Sequence, residues 1–208
     1  MTSTQQADAG RTSELPKWAR GNSHRGGPGF GELIEQVRSV MDASRFIAPG
    51  DDVARELTAD LSRIVERMQA IAVPVDDAAA DSREDLPARG NPSLPPFEII
   101  DLGSEGVVAE IVFRAFHLGR LSAHGGNISL LFDELAGYAT MHRVTSGFAR
   151  TAFLKVDYRS LTPIDRPLRA RVWVEEIDGR KLHVLGTLHD GDRLCADMTA
   201  LFIQVPDA

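Results

Sequence analysis

The stretch His124-Gly125-Gly126-Asn127-Ile128-Ser129-Leu130-Leu131-Phe132-Asp133-Glu134 decides the fold of this chain. Two adjacent glycines let the backbone turn tightly and approach a ligand. The apolar residues that follow recur with the period of a helix. The first turn of a helix carries unpaired N–H groups and a partial positive charge, so it can hold a carbonyl oxygen that is becoming negative. A carboxylate two turns further along is expected to act on that same carbonyl, as base or nucleophile. The segment reads as a site for chemistry on an acyl group.

Projection at 100° per residue puts Ile128, Leu131, Phe132, Leu135 and Ala139 on one apolar stripe. Leu130, Gly137 and Met141 fall on the opposite side with Asp133 among them, and Glu134 lies toward one flank. No basic residue occurs between Asn127 and Met141, so the helix is expected to be buried nearly all round. An ionised carboxylate in such surroundings needs a partner or a task.

Outward from this helix the pattern changes to the alternation of antiparallel strands. Residues 97–102 and 107–113 precede it; 151–158, 168–177, 181–189 and 193–205 follow. Asp178-Gly179 and Asp190-Gly191 between apolar runs are hairpin signals. The class by pattern is α+β. Cys195 sits in an alternating strand and reads as a small core residue.

Before this domain the organisation is simpler. Residues 1–29 are polar and glycine-rich and are expected to be a disordered tail. Its small basic cluster around Trp18 reads as solvated. Residues 30–73 form a helical extension of two amphipathic helices, expected to dock on the C-terminal domain or on a dimer partner. Phe30, Leu33, Ile34, Val37, Val40 and Met41 mark the first helix, and Asp51 or Asp52 is expected to cap the second. Residues 74–96, acidic and proline-containing, read as an extended linker, and residues 97–208 as the main domain.

Composition narrows the function. A chain of 208 residues with 43% hydrophobic content can bury a substantial core. A net charge of −7 argues against a nucleic-acid partner. No apolar run is long enough for a membrane span, the first ten residues lack the pattern of a secretory signal, and there is one cysteine. The expected location is the cytoplasm.

His124-Gly125-Gly126, Asp133 nine residues after the histidine, and the strand Thr151-Ala152-Phe153-Leu154-Lys155-Val156-Asp157-Tyr158 followed by Arg159 and Pro163 resemble the hotdog-fold acyl-CoA thioesterases of the phenylacetate-pathway and mammalian thioesterase-superfamily type. The resemblance covers roughly residues 95 to 205. It implies a hotdog fold, in which a curved antiparallel sheet wraps a long helix. It also implies a homodimer or dimer of dimers with each site between subunits, and no cofactor or metal.

By that resemblance the N–H of Gly125 or Gly126 would receive the thioester oxygen. Asp133 would act as base or nucleophile, with Glu134 as the alternative carboxylate. Thr151, from the other subunit, would help to hold the attacking water. His124 would orient the turn or move a proton. Relatives carry an Asn or similar residue before His-Gly-Gly; here only His117 stands in that region to polarise the thioester. Asn127, Arg150, Lys155 and Arg159 complete the candidates for substrate contact, Arg143 and Arg166 being further cations near the mouth.

The implied reaction is hydrolysis of an acyl-CoA to free acid and CoA, as part of fatty acid metabolism. Leu130, Met141 and Phe148 suggest a medium or long fatty chain. Two other readings stand beside it. A non-catalytic acyl-CoA-binding protein would keep the fold, and an enoyl-CoA hydratase-like enzyme would need a His five residues after its Asp, where this chain has Tyr138.

Overall fold

Alternation of large and small apolar residues builds a curved sheet with room for one helix. In this computed structural model, which describes residues 21–144 and 147–205, the chain divides into two compact units, Met1–Asn91 and Pro92–Ala208.

In the second unit six strands, β1 (Phe97–Gly103), β2 (Gly106–Val112), β3 (Phe148–Tyr158), β4 (Pro167–Asp178), β5 (Lys181–Asp190) and β6 (Arg193–Val205), form one sheet. The order is β1-β2-β4-β5-β6-β3, every pair is antiparallel, and β1 and β3 are the edges. Both Asp-Gly signals close two-residue hairpins: Gly179 has φ +57° between the paired Asp178 and Lys181, and Gly191 has φ +58° between Asp190 and Arg193.

The helix, labelled α3 (Gly125–Met141), lies on the inner face of this sheet. Its stripe Ile128, Leu131, Phe132, Leu135 and Ala139 is buried as expected, together with Ala136 and Thr140. The sheet presents small residues beneath it: Ala109, Ala170, Ala196 and Ala200 are fully buried. Gly186 continues the pattern, since a Cβ there would lie 3.0 Å from Val172 and 3.1 Å from Met198. Small side chains let a helix approach the sheet closely enough to exclude water. Cys195 is buried in β6. The second face of α3 differs from expectation: Leu130 is exposed, and Asp133, Gly137 and Met141 are half-buried.

The first unit contains α1 (Phe30–Ser44) and α2 (Asp51–Gln69). Neither Asp51 nor Asp52 caps α2. Gly50 occupies the cap without a side-chain hydrogen bond, and the two aspartates lie in the first turn, where their charge suits the helix dipole. Along α1 only Ile34 and Arg38 are buried, and along α2 no residue is.

Residues 74–96 are not extended throughout. Short 3-10 turns form at Val75–Asp77 and Pro87–Gly90, and Ala88, Arg89 and Gly90 all have positive φ. This reversal offers the carbonyls of Pro87 and Asn91 to buried Arg38, which also pairs with Glu35 at 2.7 Å. Buried Arg83 donates to the carbonyls of Arg25 and Gly27 and pairs with Asp85. Two buried guanidiniums, each given carbonyl and carboxylate acceptors, explain why a proline-containing stretch is ordered here. The expectation of a disordered tail falls mostly on residues 1–20, outside those described; residues 21–29 form turns, with Asn22 N–H donating to Ser82 O.

Candidate active site

The turn that opens α3 is pinned from three directions. His124 caps the helix: its Nδ1 accepts the N–H of Gly126 at 3.0 Å. Its own N–H donates to His117 O at 2.8 Å, and Ala123 N–H donates to Thr162 O at 2.8 Å. The side-chain amide of Asn127 reaches the same His117 carbonyl at 3.2 Å. The carbonyl of Gly125 accepts from Tyr158 Oη at 2.9 Å and Ser129 Oγ at 3.1 Å, the two hydroxyls lying 3.1 Å apart. Two hydroxyl protons are thus directed at one carbonyl. The peptide between Gly125 and Gly126 is held at both ends, oxygen and N–H.

Glycine at 125 makes room for the Tyr158 hydroxyl. A Cβ there would lie 2.8 Å from Tyr158 Oη. Because His124 takes the Gly126 N–H, the N–H left to face a ligand at the first helical position is that of Gly125, which has no intrahelical partner. Nδ1 as acceptor also places the proton of neutral His124 on Nε2.

The acidic half of the site lies two turns on. Thr151 Oγ1 donates to Asp133 Oδ1 at 2.8 Å. The Thr151 that meets Asp133 is the one on the same chain. The cause is the path of β3, which begins at Phe148, three residues before the sequence pattern placed it, and passes alongside α3. Its pairing with β6 slips between Thr151 and Phe153, a bulge of the kind that re-aims side chains beside functional sites. Glu134 is half-buried on the adjoining face.

His117 does not fill the role of polarising the thioester. It is fully buried, with Nδ1 accepting the Arg114 N–H at 2.9 Å and its ring against Phe113 and Phe116. Its carbonyl, not its ring, serves the site by holding His124 and Asn127. Asn127 is likewise engaged in that support.

The cations divide as well. Lys155 pairs with Asp157 at 2.8 Å, and Arg159 with Asp197 at 2.8 Å and Asp157 at 3.6 Å. The hydrogen bond from Lys155, with the charge of Arg159 beyond it, holds the Asp157 carboxyl below the usual range, and Asp197 raises Arg159. Arg166 pairs with Asp190 at 2.9 Å, and Arg143 donates to Ser104 O at 3.1 Å. Arg150 is exposed and stacks over Phe148, 4.5 Å from the ring centre. Of these side chains it is the one placed to meet an anionic ligand without giving up a carboxylate or carbonyl.

Tyr158 and Ser129 were not read as site residues from sequence. Ser129, four residues after Gly125, had a local signal, since a hydroxyl there can bond back to the carbonyl one turn earlier. Tyr158 had none beyond the glycine that makes room for it.

A cavity of about 790 Å³ runs along α1, lined by Leu33, Ile34, Arg38, Leu86 and others of the first unit. It shares no residue with the candidate site. Chemistry rather than volume selects the site.

A helix seated on a six-stranded antiparallel sheet, opening at a glycine turn and carrying a hydrogen-bonded carboxylate, defines the second unit as a hotdog domain. Residues 122–196, which include the turn, Asp133 and Thr151, match the family model of the thioesterase superfamily. Over those residues the second unit, a hotdog-fold domain, is similar to that superfamily. Acyl-coenzyme A thioesterase THEM4 of Rattus norvegicus is 36% identical over 87 residues, covering 40% of this chain and 36% of its own length. The chain thus spans little more than a third of that curated relative. The crystal structure of protein RHA08564, a thioesterase superfamily protein, superposes with a TM-score of 0.71 at 22% identity, over 84% of this chain and 94% of that one. Protein smu.793 of Streptococcus mutans UA159, solved bound to acetyl CoA, superposes with a TM-score of 0.50 at 18% identity, over 53% of this chain and 90% of its own.

Proposed function

We propose that this protein hydrolyses acyl-CoA thioesters to the free acid and CoA. The observation that carries the reading is Asp133, held by Thr151 at 2.8 Å on the helix that His124-Gly125-Gly126 opens. The superfamily match and the acyl-CoA thioesterase relative support it.

The thioester oxygen is received by the N–H of Gly125, strengthened by the positive end of α3. With Oδ1 engaged by Thr151, Oδ2 of Asp133 takes a proton from water as the water oxygen attacks the carbonyl carbon. The tetrahedral intermediate then collapses, the C–S bond breaks, and the CoA thiolate leaves and is protonated. Direct attack by Asp133 through an anhydride is the other route.

In this reading two copies complete the site. Eight residues separate Gly125 from Asp133, about 12 Å along the helix axis, which supports the expectation that each site lies between two subunits. A second copy related by a two-fold axis, its helix running in the opposite sense, sets Gly125 of one copy across from Asp133 of the other. The open edge of β3, with Phe153 exposed on it, supports pairing of two copies there. Leu130, Met141 and Phe148 line the way to an apolar acyl chain of medium or greater length, and Arg150 receives a phosphate of CoA.

Thiol release from a series of acyl-CoAs, C2 to C18 with phenylacetyl and hydroxybenzoyl, tests the proposal with Asp133→Asn alongside. Turnover that collapses in the variant supports it, and the preferred chain reads the tunnel. Tight acyl-CoA binding without turnover by the wild type overturns it in favour of a binding protein.

A further inference from the structure

We infer that α2 is a self-complementary interface, its apolar face packing antiparallel against the same face of a second copy of this chain. The helix has 19 residues and buries none of them. Val53, Leu57, Leu61, Ile64 and Val65 are nevertheless apolar and each 43–51% exposed. With Met68 they occupy one side of the helix at 100° per residue. Leu57, Leu61, Ile64 and Met68 follow the alternating four-three-four spacing of a coiled-coil seam. Apolar faces of this kind on soluble proteins mark association surfaces.

The charges beside the seam identify the occupant. On one flank Glu56 and Asp60 precede Arg63 and Arg67, acidic toward the N-terminus and basic toward the C-terminus. Parallel pairing of two such helices sets like charges side by side. Antiparallel pairing about a two-fold between Leu61 and Ile64 brings Leu57 against Met68 and Leu61 against Ile64. The same axis lays Glu56 and Asp60 of one copy along Arg63 and Arg67 of the other. Asp60 and Arg63 already pair within one chain, both largely exposed, so the cross-pairs extend an existing network. A flank whose charge order complements its own reverse specifies a second copy, and a two-fold contact closes on itself.

Sedimentation of the full chain across a concentration series tests this, with helix content checked by circular dichroism. Leu61→Asp halves the mass of the wild-type particle. The double variant Glu56→Arg/Asp60→Arg halves it as well, because both helices then carry a wholly basic flank. Adding Arg63→Glu and Arg67→Glu restores the wild-type mass. Unchanged mass in Leu61→Asp overturns the inference. So does failure of the fully reversed variant to reassociate while its helix content is intact. Neither readout depends on catalysis, and loss through the edge of β3 is separate, since none of these residues lies in the second unit.

Discussion

Replacing Thr151 by Val removes one hydroxyl and little else. The two side chains have nearly the same shape, both favour strands, and position 151 is exposed in β3. The lost interaction is the 2.8 Å hydrogen bond to Asp133 Oδ1. Stability is expected to fall by no more than the contribution of that hydrogen bond, about 1.5 kcal/mol, which leaves the variant folded. A hydrogen bond to a charged group contributes about 1.5–3 kcal/mol, and exposure to water puts this one at the low end. Since about 1.4 kcal/mol is a factor of ten in rate, kcat should fall roughly tenfold. KM should hold, because the hydroxyl is spent on the carboxylate rather than on substrate. Thr151→Ser keeps the donor and should recover most of the rate. Steady-state thiol release on the preferred acyl-CoA gives both constants. Wild-type kcat in a folded Thr151→Val, or equal damage in Thr151→Ser, refutes the role given to this hydroxyl.

Three further outcomes are expected. Gly125→Ala puts a Cβ 2.8 Å from Tyr158 Oη; displacing the donor should cost about 10²-fold in kcat, and adding Tyr158→Ala should recover part of it, as thiol release will report. Leu135→Ala empties a fully buried position under the sheet and should lower unfolding free energy by about 2–5 kcal/mol in a denaturant titration. Asp157 titrates below the usual carboxylate range because Lys155 and then Arg159 favour its charged form. Its contribution to stability is thus full above about pH 3.9 and lost as pH falls through the lowered folded value. The stability difference between wild type and Asp157→Asn should shrink over that acid range in thermal melts.

Much of the second unit is legible in its residues, because alternation reports which face of a strand is buried and 3.6-residue spacing does the same for α3. Gly179 and Gly191 announce their hairpins through the positive φ that each adopts. Partnership across the fold is a different kind of information. Nothing in the local pattern says that β3 runs beside α3, so the meeting of Thr151 with Asp133 within one chain was not legible. Distance along the helix was legible in principle: eight residues at the rise of an α-helix already separate Gly125 from Asp133. His117 looked like a ligand because it is a histidine near the turn, whereas burial between Phe113 and Phe116 turns its ring toward Arg114. The ordered stretch before residue 91 escaped notice because prolines and acidic residues read as solvated, while the carbonyls that satisfy Arg38 and Arg83 leave no trace in side-chain sequence.

The most direct test of the central claim is complementation between two inactive variants. Gly125→Ala and Asp133→Asn are prepared separately, then unfolded, mixed and refolded together, and thiol release is compared with each refolded alone. If Gly125 of one copy works with Asp133 of another, random mixing forms mixed dimers in which one of the two sites is intact, so about a quarter of wild-type activity should return. No recovery, with mixed dimers shown to form, contradicts a site shared between copies.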